Sequence, residues 1–336
     1  MNRAPAARPP FALVHLLVLP AMDPIQIAYY PVRWLFITLA YSMIFHRHEN
    51  LSFTYAQIGS DWNGTCKDGQ MQSPIHIMTN NVAVDDEAQP LVFVNYDQAT
   101  LDVELKDHTI KFDPMPAADG IKVGIAGGGL MGFYYLDHIH LHWSSSEHAI
   151  DHHSYKMEAH LVHFKTPHGN LTADEAIDEP DGIAVLAVLF EWGSADHLID
   201  DMVLQLGRNQ TAAELKYQPI DFLPKNTDEY IRYRGSLTTP PCSEVVVWTI
   251  FTSPKTVAQY QVNWLRGRKL SKGVPEAENF RERQPVNGRP IAVMDASYSY
   301  VNQIARRSSA QNLPAFSVTV LLLISSLTFL TASSFR

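Results

Sequence analysis

Four histidines stand at positions whose spacing could hold a metal ion. His138, His140 and His142 alternate along one predicted strand, and His160 follows Glu158 on a second strand. Successive side chains of a strand point to opposite faces, so the first three histidines share a face, as do Glu158 and His160. The polar segment between the strands predicts a hairpin that brings His160 opposite His140 and His142. Three neutral imidazoles with a fourth position left for water form a catalytic zinc site.

The metal hypothesis depends on these histidines acting together, because an isolated histidine is usually an ordinary polar residue. Glu158 favours it, since a carboxylate beside a ligating imidazole raises the basicity of the ring. The other histidines considered lack such neighbours and are interpreted as ordinary surface or packing residues: His148, His152, His153, His163, His168 and His197.

Strands dominate the elements that must position these residues. Runs rich in valine, isoleucine, leucine and aromatic residues are separated by glycine, proline or aspartate clusters. The predicted strands are Leu91–Tyr96, Leu101–Leu105, His108–Phe112, Tyr134–Trp143, Lys156–Lys165, Ile183–Trp192 and Val245–Phe251. Apolar residues at helical spacing predict helices over Ser194–Leu206 and Pro254–Leu265. The fold class is therefore mainly β (α+β), with one large sheet and a few surface helices.

Composition limits the number of domains and the class of partner. The chain has 336 residues, 46% of them hydrophobic, and a formal net charge of -9. This length and apolar content allow one large domain with a sizeable core and exclude intrinsic disorder. The negative charge, with no basic run longer than a pair, excludes nucleic acid bound through its phosphates. We therefore expect a single globular domain and no nucleic-acid partner.

The first part of the chain predicts export. Apolar runs in residues 1–45 follow a positive residue, as in a signal peptide, with an uncleaved membrane anchor as the alternative. Two cysteines, Cys66 and Cys242, predict either one disulfide of an exported chain or two unrelated buried thiols. Four Asn-x-Ser/Thr triplets also favour the secretory route: Asn50, Asn63, Asn170 and Asn209.

The C-terminal region has the pattern of a lipid-anchor signal. Small residues beginning at Ser308 precede a short spacer and the apolar run Phe316–Leu330. Such a tail is removed and replaced by a glycolipid (GPI) at the small residue, here predicted at Ser308; a short transmembrane helix is the alternative. The expected boundaries are 1–45 for the leader, 46–300 for the main domain, 301–314 for a linker and 315–336 for the tail. These expectations place the protein on the extracellular face of the plasma membrane.

Several spaced motifs together resemble the α-class carbonic anhydrases. They are His140-x-His142-Trp143, Ser146-Glu147-His148, Glu158-x-His160 and Ser236 to Cys242, with Gln72 to Ile75 before them and Asn279 to Arg281 after them. The resemblance implies a zinc lyase built on a twisted, mostly antiparallel sheet of about ten strands. It implies reversible hydration of carbon dioxide to bicarbonate and a proton by attack of zinc-bound hydroxide. Sulfonamide-type compounds are the implied inhibitors.

The resemblance also implies roles for individual residues. His140, His142 and His160 correspond to the zinc ligands, and Glu158 and His138 to hydrogen-bond partners of those ligands. His108 corresponds to the proton shuttle, Thr238 to the residue that accepts the hydroxide proton, and Glu147 to the carboxylate that holds Thr238. The implied substrate pocket consists of Val162, Val185, Leu237, Thr239, Val246 and Trp248. Cys66 and Cys242 match the cysteine pair of secreted and membrane-attached members.

Four positions depart from the family pattern. His138 replaces a glutamine and can accept a ligand's ring N–H in only one tautomer. Lys106 and Lys111 flank His108 where small amides are common, and Phe53 replaces a common tryptophan.

Two other functions are considered. An extracellular adhesion or binding module with a decayed metal site is disfavoured by the complete ligand set. Zinc-dependent ester hydrolysis would use the same hydroxide.

Overall fold

A computed structural model describes residues 53–85, 89–115, 122–165, 173–206, 217–272 and 276–295. Several residues singled out above lie outside this part of the chain: His168, Asn50, Asn170, Asn209, Ser308, the leader 1–45, the linker 301–314 and the tail 315–336. Their assignments stay predictions.

Fifteen strands and four α-helices are found in the described residues. The strands are β1 His76–Ile77, β2 Ala83–Asp85, β3 Leu91–Val94, β4 Leu101–Leu105, β5 Ile110–Pro114, β6 Gly124–Gly127, β7 Tyr134–Trp143, β8 Ala149–Ile150, β9 His153–Ser154, β10 Met157–Lys165, β11 Ile183–Trp192, β12 Glu229–Gly235, β13 Val246–Phe251, β14 Lys255–Val257 and β15 Ile291–Asp295. The helices are α1 Thr65–Asp68, α2 Ala173–Ala176, α3 His197–Leu206 and α4 Gln259–Gly267, with 3-10 turns at Thr79–Asn81 and Pro219–Phe222. Among the described residues, no helix combines the length and apolarity needed to cross a membrane.

One 12-stranded sheet organises the domain. Its main path runs β2-β15-β12-β13-β11-β10-β7-β5-β4, while β14 pairs with β11, β6 with β7, and β3 with β6. Only the β11–β13, β11–β14 and β15–β2 pairings of this described sheet are parallel. The strands β1, β8 and β9 form a separate 3-stranded sheet. The predicted mainly β, mostly antiparallel fold is confirmed, with twelve strands in place of about ten.

The core lies on both faces of this sheet. Side chains of β11 alternate between two apolar clusters, so that Ala184 and Leu186 pack on one face and Val185 and Ala187 on the other. A strand covered on both faces reads as a continuous apolar run, which is why Ile183–Trp192 was predictable without an alternating pattern. β10 and β7 follow β11 in the strand order, so they also lie in the interior of the sheet.

The predicted helices begin later than expected. Asp196 Oδ1 accepts hydrogen bonds from the backbone N–H groups of Leu198 and Ile199, so the residues from Ser194 precede the helix and cap it. The segment after Pro254 first forms β14, which pairs with the end of β11. The second helix therefore begins only at Gln259.

The predicted strand His108–Phe112 also begins later, at Ile110. The N–H of Lys106 bonds to the carbonyl of Thr109 at 2.9 Å and closes a turn between β4 and β5. His108 therefore lies in this turn.

Candidate metal centre

Three imidazoles converge on one face where β7 and β10 pair. In the antiparallel register His160 stands directly opposite His140, and Glu158 stands opposite His142. The ring centroids are 5.0 Å apart for His140 and His142, 5.2 Å for His140 and His160, and 4.5 Å for His142 and His160. One nitrogen of each ring lies within 4.8 Å of the others, so the group could hold a metal ion. The predicted hairpin that joins these histidines is confirmed.

Hydrogen bonds orient two of the rings. His142 donates from Nδ1 to the carbonyl oxygen of Asn279 at 2.6 Å, and His160 donates from Nε2 to Glu158 Oε1 at 2.7 Å. Their other nitrogens, Nε2 of His142 and Nδ1 of His160, then carry lone pairs and face each other at 3.1 Å. Two nitrogen ligands of a tetrahedral zinc ion stand roughly 3.3 Å apart. The donor set therefore fits zinc.

The third ring is oriented by a chain of two further residues. His140 Nδ1 lies 3.0 Å from His138 Nε2, and His138 Nδ1 lies 2.5 Å from Asp137 Oδ2. A carboxylate can only accept, so the proton of His138 is on Nδ1 and its Nε2 accepts from His140. Burial raises the pKa of Asp137, but the hydrogen bond and charge of His138 outweigh this effect and hold the pKa below its usual range. Asp137 thus fixes the tautomer in which His138 can accept a hydrogen bond from His140. The glutamine that is common at this position in the family would not need such a partner, because its side-chain oxygen is always an acceptor.

Burial favours the neutral form of two of the candidate ligands, His140 and His160. It is the main reason why the pKa of His140 lies well below its usual value, with His142 as the next cause. The pKa of His160 is lowered by the same two causes. Burial raises the pKa of Glu158, but His148 and His160 outweigh it and hold this pKa well below normal. A neutral imidazole beside an ionised carboxylate is the protonation state that metal binding requires.

Glu147 is buried against the histidines. Its Oε1 accepts a hydrogen bond from the N–H of Arg281 at 2.8 Å. Its Oε2 lies 3.6 Å from His142 Nε2 and 3.9 Å from His160 Nδ1, without a hydrogen-bond partner among the described residues. A buried carboxyl oxygen without a partner favours a cation or a hydrogen-bond donor next to it. The predicted bond to the Thr238 hydroxyl is not formed here, although Thr238 is buried, so that role stays a prediction.

The apolar residues assigned to the substrate pocket are brought together beside His160. Val162, Val185, Val246 and Trp248 belong to one buried cluster, against which Leu237 packs. The ring of Trp248 lies 4.8 Å from that of His160. Thr239 follows the buried Thr238 in a loop that the N–H of Cys242 closes on the Thr239 carbonyl at 2.9 Å. The structure thus places an apolar wall next to the metal centre.

The disulfide between Cys66 and Cys242 is confirmed. Cys242 lies at the end of the loop that carries Thr238 and Thr239, and Cys66 belongs to helix α1. The disulfide therefore attaches this loop to the helix. Asn63, two residues before the start of α1, is exposed, as glycosylation would require.

His108 is partly buried and in contact with a carboxylate. Its ring lies 4.7 Å from Phe53, which occupies the place of the family tryptophan, and its Nδ1 lies 2.9 Å from Glu276 Oε2. Lys272 Nζ lies 3.5 Å from the other ring nitrogen. The two flanking lysines bind their own neighbours, with Lys106 on Glu104 and Lys111 on Asp113, each at 2.7 Å. The proton-shuttle role of His108 stays a prediction.

Sequence reasoning missed four residues around the site. Asp137 and Glu276 carry no spacing signal that links them to a histidine. His148, interpreted above as an ordinary histidine, is buried and bonds to Glu158 Oε1 at 2.6 Å and to Tyr233 at 2.7 Å. Asn279 accepts from Trp143 N–H through Oδ1 and donates to the carbonyls of His108 and Leu141 through Nδ2. The family motif contains Asn279, but its role could not be derived from the sequence.

Comparison with known proteins agrees with this geometry. Residues 57–295 match the family model described as eukaryotic-type carbonic anhydrase. Carbonic anhydrase 4 of Rattus norvegicus is 34% identical over 258 residues, covering 70% of this chain and 79% of the relative. Carbonic anhydrase 4 of Oryctolagus cuniculus is 36% identical over 232 residues, covering 64% and 72%, and carbonic anhydrase 7 of Mus musculus is 31% identical over 236 residues, covering 66% and 88%. With the family model spanning most of the domain around a group of three histidines that could bind a metal, the chain belongs to the eukaryotic-type carbonic anhydrases.

Proposed function

We propose that this carbonic anhydrase catalyses the zinc-dependent, reversible hydration of carbon dioxide to bicarbonate and a proton. The observation that carries the proposal is the convergence of three imidazole nitrogens whose opposite ring nitrogens are already bonded. His140, His142 and His160 would hold the zinc ion. Zinc supplies a water molecule with a lowered pKa, so that hydroxide is available near neutral pH; carbonic anhydrases are themselves the standard example of this chemistry.

The residues around the metal centre are assigned two further roles, binding of the substrate and orientation of the attacking oxygen. Carbon dioxide is small and uncharged, so the apolar wall formed by Val162, Val185 and Trp248 suits it better than charged groups would. We assign to the buried Glu147 carboxylate the role of accepting a hydrogen bond from the Thr238 hydroxyl, which would orient the attacking oxygen. Both roles rest on position beside the histidines.

The product proton needs a route to solvent. His108 lies between the aromatic ring of Phe53 and the carboxylate of Glu276. An imidazole can accept a proton on one nitrogen and release one from the other, and it titrates near neutral pH in its unperturbed form. We therefore assign proton export to His108.

The proposal is tested on the full chain by stopped-flow carbon dioxide hydration combined with elemental analysis for zinc. His140→Ala and His160→Ala are each expected to lose stoichiometric zinc and nearly all hydration activity, because the two histidines that remain in each variant bind the ion too weakly. His197→Ala, at an exposed position on α3, is the matched control and keeps both. Retention of zinc and activity in both ligand variants would contradict the assignment, provided that circular dichroism shows the same strand content.

We further infer that the protein is exported and carries N-linked sugar. Support comes from the Cys66–Cys242 disulfide, which is typical of oxidising compartments, and from the exposed Asn63 of the triplet Asn63-Gly64-Thr65. N-glycosidase treatment of protein from secreting cells should lower its apparent mass. Asn63→Gln should remove one step of that shift, and an unchanged pattern of steps would exclude Asn63 as an acceptor.

A further inference from the structure

The imidazole of His108 has a charged neighbour at each of its two ring nitrogens. Nδ1 lies 2.9 Å from Glu276 Oε2, and Nε2 lies 3.5 Å from Lys272 Nζ. A carboxylate can only accept a hydrogen bond, and an ammonium can only donate one. Both neighbours therefore assign the same neutral tautomer, with the proton on Nδ1 and the lone pair on Nε2.

The backbone around Glu276 fixes the position of its carboxylate. The carbonyl of Glu276 accepts a hydrogen bond at 2.8 Å from the indole N–H of Trp143, which is the last residue of β7. Three residues later, the side chain of Asn279 donates to the carbonyl of His108 at 3.0 Å. One short segment is thus bonded both to β7 and to the turn that carries His108. The contact between Glu276 and the imidazole therefore differs from an ion pair between two free surface side chains.

Glu276 is the closer and less exposed of the two charged neighbours. The side chains of His108 and Glu276 are 14% and 27% exposed, so solvent screens their contact only in part. Lys272 is 45% exposed, and its ammonium lies 3.1 Å from the carboxylate of Asp107. Because this ammonium is exposed and shared with Asp107, Glu276 has the larger influence on the imidazole.

Two aromatic rings pack against the same imidazole without adding charge. The ring centroids of Phe53 and Tyr55 lie 4.7 Å and 5.8 Å from that of His108. Burial, followed by the charges of Glu147 and Glu276, raises the pKa of the Tyr55 hydroxyl well above its usual value, so this group stays neutral. The aromatic contacts restrict the plane of the imidazole, and its charged partners decide which nitrogen carries the proton.

We propose that Glu276 is a positioning residue for proton export: it holds the Nδ1–H of His108 and thereby makes Nε2 the atom that accepts the product proton. This inference rests on the hydration reaction and on the export role of His108 proposed above. An N–H bond forms at Nε2, and the resulting imidazolium is paired with the Glu276 carboxylate. The same bond breaks when a buffer molecule takes the proton, so the imidazole returns to its starting tautomer after each turnover.

The first measurement is the tautomer of His108 in the full-length zinc protein, read from two-bond ¹H–¹⁵N correlations after labelling of the histidines. At about pH 9 an ordinary imidazole is neutral, and the spectrum of His108→Ala identifies the signal. The wild type is expected to show the Nδ1–H tautomer. Glu276→Ala should lower the ratio of the Nδ1–H to the Nε2–H tautomer by about 10-fold or more, the usual effect of losing a hydrogen bond to a charged group. Glu276→Gln keeps an acceptor oxygen and should retain most of the Nδ1–H tautomer.

The second measurement is stopped-flow carbon dioxide hydration in dilute buffer. Proton export follows the release of bicarbonate, so Glu276→Ala should lower kcat and leave kcat/KM unchanged. The decrease should not exceed that of His108→Ala, and added imidazole should restore the rate. Glu278→Ala removes an exposed carboxylate from the same segment and is the matched control, so it should keep both the tautomer and the kcat of the wild type.

Three results would each overturn the proposal. They are the wild-type tautomer ratio in Glu276→Ala, a decrease in kcat/KM equal to that in kcat, and a tautomer that changes in Lys272→Gln but not in Glu276→Ala. Absence of hydration by the wild-type zinc protein would instead overturn the proposed function, whichever tautomer His108 has, and the export role would fall with it.

Discussion

The carboxylate of Asp137 lies 2.5 Å from Nδ1 of His138, and this contact decides which nitrogen of His138 can accept a bond from His140. Without it, His138 could carry its proton on Nε2 and turn a donor toward another donor. Asp137→Asn is therefore expected to weaken zinc binding by about 10-fold to 100-fold, the usual range for a residue that orients a metal ligand. Competition with a chromophoric chelator measures this change.

The paired variant is His138→Gln, which restores an amide acceptor at this position. In the His138→Gln background, Asp137→Asn should have little effect on zinc affinity, since a glutamine needs no carboxylate to select its acceptor atom. Equal losses in both backgrounds would mean that Asp137 acts through its charge alone.

His108→Ala is expected to slow carbon dioxide hydration in dilute buffer, because the proton then leaves without an imidazole on its route. Added imidazole should restore the rate. His153→Ala, at an exposed position on β9, is the matched control. It should have the wild-type hydration rate both in dilute buffer and with added imidazole. A rate for His108→Ala that equals the wild type in dilute, non-transferring buffer would remove His108 from the proton route.

Acid is expected to destabilise the fold in part through His163. This buried ring donates to the Ala184 carbonyl and contacts the Tyr96 hydroxyl, and burial lowers its pKa to about 3 from an unfolded value near 6.5. Below pH 6.5 the unfolded chain binds a proton that the folded chain does not, so folding stability falls as the pH drops from about 6.5 to about 3. The contribution is about 2 kcal/mol at pH 5.

His163→Gln removes this titration while keeping a hydrogen-bonding side chain. Urea unfolding at pH 7 and pH 5 should show the wild type losing about 2 kcal/mol more than the variant between these two values. The same pH dependence in both proteins would show that His163 is protonated equally in the folded and unfolded states.

Removal of the Cys66–Cys242 bridge should cost about 3 to 5 kcal/mol of folding stability, the range expected for a long closed loop. Unfolding of the Cys66→Ser/Cys242→Ser protein in urea measures it. We also expect lower hydration activity below the unfolding transition, because the bridge fixes the loop of Thr238 and Thr239. Full activity with lower stability would restrict the bridge to a structural role.

The predicted lipid anchor is tested on intact expressing cells with a phosphatidylinositol-specific phospholipase. Release of hydration activity into the medium is expected if a glycolipid replaces the tail near Ser308. Activity that stays on the cells, together with detection of a tag placed after Arg336, would show that the tail is retained.

Sequence patterns were sufficient for the long strands rich in apolar and aromatic residues, and insufficient for β12. β7 and β11 have the same bounds in the prediction and in the structure. β12, which carries Arg232 and Arg234, was missed because its charged residues resemble a loop. It forms a strand because β13 and β15 pair with it on both sides.

The candidate metal centre shows the same contrast between residues that sequence patterns identify and residues that they miss. The three candidate ligands could be found because alternation along β7 and β10 determines which side chains share a face. Glu276 and Asn279 could not be linked to His108 and His142 in this way, since they approach from a segment far along the chain. Only the folded arrangement brings such residues together, and no local pattern records it.

The carbonyl that orients His142 has a consequence for synthesis on the ribosome. Asn279 is made 137 residues after His142 and bonds to it, as well as to the backbone of Trp143 and His108. At typical elongation rates this interval lasts roughly 10 s. During that time the nascent chain already contains all three histidines that are proposed to bind zinc, while one of them has no orienting partner. A polypeptide that stops before Asn279 would therefore carry the ligands without the means to set their geometry, and completion of the metal centre is tied to completion of the domain.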